Sequence, residues 1–143
     1  MNGRRPGYPR QKLLDLRRGE ERAGRVDLAR LRDDVQREQQ RLRSLEADLR
    51  ARQRRTATAA QLQAEERYRT ALRDKTARQR EAHRQAGAAL ARAVAALHEA
   101  VRRRQAVERD HDAWKAQRRR NAAARDQRAA EESTIAGFRK PRA

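Results

Sequence analysis

Leu28, Leu31, Val35, Leu42, Leu45 and Leu49 recur at intervals of three, four, seven, three and four residues, with few other large apolar residues among them. Spacing of this kind draws one narrow stripe along an α-helix, the a and d positions of a heptad, and Glu38 fills the position that the seven-residue step skips. A narrow stripe excludes most folds. A compact globule must bury broad faces of Leu, Ile, Val and aromatic residues to offset the entropy of ordering its backbone. Here the hydrophobic set is 36% of the chain, much of it Ala, with one Phe, one Trp and two Tyr, against 41% charged residues. Disorder and long helices closed along a thin seam are the two solutions left. The abundance of Ala, Arg, Glu, Gln and Leu, all strong helix formers, selects helices. The prolines, Pro6, Pro9 and Pro141, stand near the ends, so nothing between Arg10 and Lys140 interrupts a helix. At 143 residues the chain has room for one domain.

Residues 1–10 hold two Gly and two Pro and are expected to form a flexible basic arm. Leu13 and Leu16 extend the stripe toward that arm across Gly19 and Gly24, each costing about 1 kcal/mol relative to Ala inside a helix. The stripe stops after Leu49, and no large apolar residue follows until Leu62. Thr58-Ala59-Ala60-Gln61 has the form of a capping box. It places the hairpin turn near Arg55 to Thr58 and the helices at about 11–55 and 58–136. Gln85-Ala86-Gly87 is the rival turn. The second helix carries Leu62, Tyr68, Leu72, Leu90, Val94, Leu97 and Val101, beside a row at sevens, Ala86, Ala93, Ala100, Val107 and Trp114. Ile135-Ala136-Gly137 with Pro141 beyond marks its stop, which leaves 137–143 as a flexible tail. The expected fold is all-α, an antiparallel two-helix coiled-coil hairpin over 11–136 with an extended C-terminal helix.

A turn near Thr56 to Thr58 sets residue i opposite about residue 114 − i, pairing Leu42 with Leu72, Leu45 with the Tyr68 region, Leu16 with Leu97 and Leu13 with Val101. A turn at Gly87 sets Val101 against Arg73, a poorer match. The paired arms would be about 45 residues long, about 65–70 Å at 1.5 Å per residue. The second helix then outruns the first by about 30 residues. Val107 and Trp114 are left for one of two covers: the folded-back arm, through Tyr8, or another protein.

The chain offers no catalytic constellation. His83, His98 and His111 lie 15 and 13 residues apart, without the i, i+4 pair of helical zinc ligands, and read as solvated positions. His111 and Asp112 beside Trp114 would need a pocket to work as a general-base pair, and one hairpin supplies none. Asp33-Asp34, Glu65-Glu66 and Glu131-Glu132 are neighbours that diverge by about 100° around a helix. They read as surface charges paired with Arg at helical spacing, as Glu38 is with Arg41. There is no cysteine and no glycine loop to cradle a phosphate. No catalytic, metal or cofactor-binding residue is expected, and no cofactor.

The 38 Lys and Arg against 20 Asp and Glu leave a net charge of +18, which favours acidic protein surfaces and polyanions. Arg102-Arg103-Arg104 and Arg118-Arg119-Arg120 wrap around the helix. Three readings stay open for them: a solvated exterior, docking on an acidic protein, or nucleic-acid contact, the last disfavoured because aromatics to stack bases are nearly absent. No apolar run reaches the roughly 20 residues of a membrane span and no signal-peptide core follows Met1, so the expected compartment is the cytoplasm.

The short first helix, the longer second one and the charge-dense, low-aromatic heptads resemble FliJ and its virulence-system counterparts, the YscO (SctO) proteins. The similarity in sequence is closest from Trp114-Lys115-Ala116-Gln117-Arg118-Arg119-Arg120 through Arg125-Asp126-Gln127-Arg128 to Phe138-Arg139-Lys140-Pro141. The resemblance implies a non-enzymatic stalk of a type III secretion system, seated in the hexameric export ATPase and reaching a membrane protein of the export gate. It implies an ATPase contact through Val107, Trp114, Arg118, Arg119 and Arg120, and a gate contact through Leu62, Tyr68 and Leu72. Secretion chaperones are a further implied partner, and the inner-membrane apparatus the implied place. A basic coiled coil that binds nucleic acid and a self-associating structural coiled coil are the competing functions.

Overall fold

The computed structural model describes residues 6–52 and 58–139. Two helices, α1 (Gln11–Arg52) and α2 (Ala59–Arg139), pack against each other as an antiparallel hairpin, with no strand among the described residues. The turn expected near Arg55 to Thr58 lies, apart from Thr58, outside the described residues. Thr58 does open α2 as expected: its N–H donates to Gln61 Oε1 at 3.1 Å, and its carbonyl accepts from the Leu62 N–H at 2.8 Å. The rival turn is excluded, because α2 runs unbroken through Gly87, and it also continues past Gly137 to Arg139.

Every α1 residue on the run 14, 17, 21, 24, 28, 31, 35, 38, 42, 45, 49 and 52 is buried or half-buried. The steps alternate three and four throughout, so the Leu28–Leu49 heptad extends unbroken in both directions. Toward the N-terminus its phase selects Leu14, not the expected Leu13 and Leu16. Leu14 is fully buried, and Leu16 is 56% exposed. On α2 the same alternation runs from Glu65 through Leu72, Thr76, Gln79, Leu90 and Leu97 to Trp114 and Arg118, and the seven-spaced alanine row is one of its two lines.

The chain divides into two units, Glu20–Val101 and the remainder. Within Glu20–Val101, the pairs Glu38–Gln79, Gly24–Leu97 and Arg52–Tyr68 have numbers that sum to 117, 121 and 120. Opposite residues therefore follow about 120 − i, not 114 − i, and Leu42 lies level with about residue 78 instead of Leu72. The shift of about six residues has a local cause. Arg52 ends α1 level with Glu65 (3.5 Å) and Arg69, so the first two turns of α2 run on beyond it. Arg69 donates to the Arg52 carbonyl at 2.8 Å, satisfying one of the acceptors that a helix C-terminus leaves free.

This seam is thin and partly polar. Leu72 is its one buried large apolar residue among those described, flanked by buried Thr76, whose hydroxyl donates to the Leu72 carbonyl at 2.8 Å. Gln79 donates to the Glu38 carbonyl at 3.0 Å and also to its carboxylate. Buried Glu21 pairs with Arg25, four residues on. Thr76, Gln79 and Glu21 each have a neighbour that offsets most of the cost of desolvating them, whereas Glu65 Oε1 and Arg69 Nε are buried without a hydrogen-bond partner among the described residues.

Candidate protein-docking sites

In the unit that contains both terminal stretches, Pro9 sets the geometry. The Tyr8 carbonyl accepts from the Gln11 N–H at 3.1 Å, which closes a β-turn with Pro9 at its second position, where a fixed φ suits the turn. The turn sends the arm back along α2 and drives Tyr8 onto it. Tyr8 is 7% exposed. Its ring meets His111 edge-on at 4.8 Å and Trp114 edge-on at 5.4 Å, while His111 and Trp114 stack at 6.2 Å. The phenol donates to the Asp110 carboxylate, which also lies 3.7 Å from Arg10. Burial, and then Asp110, push the Tyr8 phenol above its ordinary pKa. Arg118 lies over the Trp114 ring at 5.0 Å and donates to the Pro6 carbonyl. Between arm and seam, Glu108 bridges Arg104 on its own helix and Arg18 on α1.

Of the two covers open to Trp114, the arm is the one present, and Val107 and Trp114 are both half-buried. Arg118 is half-buried with them; Arg119 and Arg120 are exposed. His111 is drawn into the aromatic cluster and is not the solvated residue expected. His83 is half-buried and His98 exposed. Asp110 and His111 were not singled out together with Tyr8 from sequence. The signal was there: 83, 90, 97, 104, 111 and 118 form one line of the α2 heptad, which places His111 on the seam face one turn before Trp114. From Arg119 to Arg139 every described side chain of α2 is exposed, with Ile135 at 51% and Phe138 at 87%.

In the unit Glu20–Val101, the three residues Leu62, Tyr68 and Leu72 do not share one face. Leu72 is a buried seam residue. Leu62 and Tyr68 are 48% and 45% exposed, and the Arg52 guanidinium sits 3.7 Å above the Tyr68 ring. No group of His, Asp or Glu among the described residues is arranged to hold a metal ion, and none of their helices is long and apolar enough to cross a membrane.

What this arrangement offers is exposed side chains on long helices, the raw material of protein contact. Comparison with curated proteins and with solved structures found no match. The family model described as flagellar FliJ protein matches residues 9–142, which takes in both helices. With nearly the whole chain matched and the helical hairpin in place, the chain belongs to the FliJ family of flagellar export proteins.

Proposed function

We propose that this chain is the non-enzymatic stalk of a type III export machine. It docks in the hexameric export ATPase and couples that ATPase to an export-gate protein at the cytoplasmic side of the inner membrane. Family membership supports the export assignment. The observation that carries the docking is the bare stretch of α2 after Arg118, a single helix with no packed neighbour among the described residues. Most helical stability in proteins comes from tertiary packing, so a lone charged helix gains from a partner that covers it. Val107, Trp114, Arg118, Arg119 and Arg120 are the proposed ATPase contacts, with Arg119 and Arg120 exposed and Arg120 donating to Gln117 at 2.9 Å. Leu62 and Tyr68, with Leu72 supporting them from the seam, are the proposed gate contacts. Secretion chaperones are a further proposed partner.

The test is the hydrolysis rate and hexamer fraction of the cognate export ATPase with and without the purified chain. Wild type raises both, and Arg119→Glu with Arg120→Glu removes most of the gain. No response from the cognate flagellar ATPase rejects the reading for that system. Response from a virulence-system ATPase alone moves the chain to the YscO (SctO) side of the resemblance.

A further inference from the structure

The α2 heptad continues past the stretch that the described part of the arm covers. Asn121, Arg125, Arg128, Glu132, Ile135 and Arg139 continue, at alternating fours and threes, the line of His111, Trp114 and Arg118, yet all of them are exposed. A straight helix drifts only about 20° per heptad from a seven-residue repeat, so these residues stay on one face over this length. We propose that this face is a docking surface for an acidic amphipathic helix of another protein, laid end to end with the arm. The proposal rests on the docking reading of this stretch and names the chemistry of what docks.

Continuity is the first argument. The described part of the arm reaches the near edge of the face at Pro6, which lines one groove with Arg118, Asn121, Arg125 and Arg128. An incoming helix would therefore extend a seam that already exists. Charge is the second. Elsewhere Arg25, Arg37, Arg41 and Arg84 each pair with an acid three or four residues back on the same helix. Arg125 and Arg128 have no ion-pair partner among the described residues, although Glu131 and Glu132 follow Arg128 at three and four. Two guanidiniums on a coiled-coil seam ask for carboxylates opposite them.

The same residues disfavour the other occupants. A parallel second copy in register would set Arg125 and Arg128 against guanidinium, and an antiparallel one that matches Arg128 with Glu132 would set Arg125 against Ile135. A nucleic acid would meet Glu132 and Ile135 within the stripe and find no aromatic ring between Asn121 and Ile135 to stack a base. The fitting helix carries Glu or Asp opposite Arg118 to Arg128 and an apolar residue opposite Ile135.

The experiment uses the full chain and a labelled synthetic peptide of three heptads (about 21 residues), with Glu at a and d in the first two and Leu in the third. Anisotropy should show binding that weakens at least about tenfold in Arg125→Glu with Arg128→Glu and returns when the peptide's Glu become Lys. Equal binding of a scrambled peptide, or no rescue by the Lys peptide, overturns the proposal. So does a dimer in sedimentation that the double variant abolishes, or a 20-nucleotide single strand that displaces the peptide at lower concentration. No ATPase is present in this assay. Peptide binding without ATPase stimulation rejects only the stalk reading, and stimulation without peptide binding rejects only the acidic-helix reading.

Discussion

Leu97 lies directly on the backbone of Gly24: a Cβ added to that glycine would come within 3.3 Å of the Leu97 Cδ1. The glycine lowers helix propensity and in exchange admits a large side chain close to the α1 axis, at a point that fixes the register of the pair. Gly87 has nothing within 4 Å of the same added atom. Gly87→Ala should therefore raise the stability of the folded chain by about 0.8–1 kcal/mol, the propensity difference alone. Gly24→Ala should gain measurably less, because Leu97 must give by a few tenths of an ångström. Urea titrations of the two variants read the difference directly.

Leu14 and Leu16 stand two residues apart and differ sharply in burial. Leu14→Ala should cost about 2–4 kcal/mol, since a fully buried leucine loses both its transfer energy and the contacts around it. Leu16→Ala, more than half exposed, should stay within about 0.5 kcal/mol. Equal losses at the two positions in thermal or urea unfolding would show that the seam runs through Leu16.

Tyr8 holds the arm by packing and by one hydroxyl. Tyr8→Phe keeps the ring and loses the bond to Asp110, a cost of about 1 kcal/mol to arm docking. Tyr8→Ala should weaken docking by about 2–3 kcal/mol and free the arm while leaving the helices folded. Trp114 is the only tryptophan, so its emission should shift to the red in Tyr8→Ala and barely move in Tyr8→Phe.

The arm should also respond to alkali. Burial and Asp110 favour the neutral phenol and raise its pKa above the ordinary 10.0. A raised value means that the part of the docking energy tied to the neutral phenol is complete below about pH 10 and is lost as pH climbs through the folded-state value. Trp114 emission followed upward from neutral pH should show a transition above pH 10 that is absent in Tyr8→Phe. A transition of the same size in that variant would assign it to general unfolding.

The heptad made most of the fold legible, and the two misplacements have physical origins. Leu13 and Leu16 are apolar residues at helical spacing, although the four-three count back from Leu28 reaches Gly24, Glu21, Arg17 and Leu14. A glycine and a glutamate do not look like core, and here one admits Leu97 and the other is buried beside Arg25. The register was read from matching large residues across a symmetric turn. The true offset is set by how far α2 runs past Arg52, which no apolar pattern encodes. Trp114 was legible as a residue needing cover and Tyr8 as one of its covers. His111 was not, because a polar residue on a seam carries no hydropathy signal, and Asp110 lies exposed beside that seam. The resemblance to FliJ, carried by the stretch after Trp114, agrees with the family found over residues 9–142.

The hydrogen bond from Gln79 to Glu38 works like a tooth in a gear. Displacing either helix by one heptad would trade Gln79 for Leu72 or Ala86, leaving a half-hidden carboxylate against hydrocarbon. With so little leucine to distinguish one alignment from the next, that mismatch joins the Gly24–Leu97 contact in keeping the two helices from sliding within Glu20–Val101.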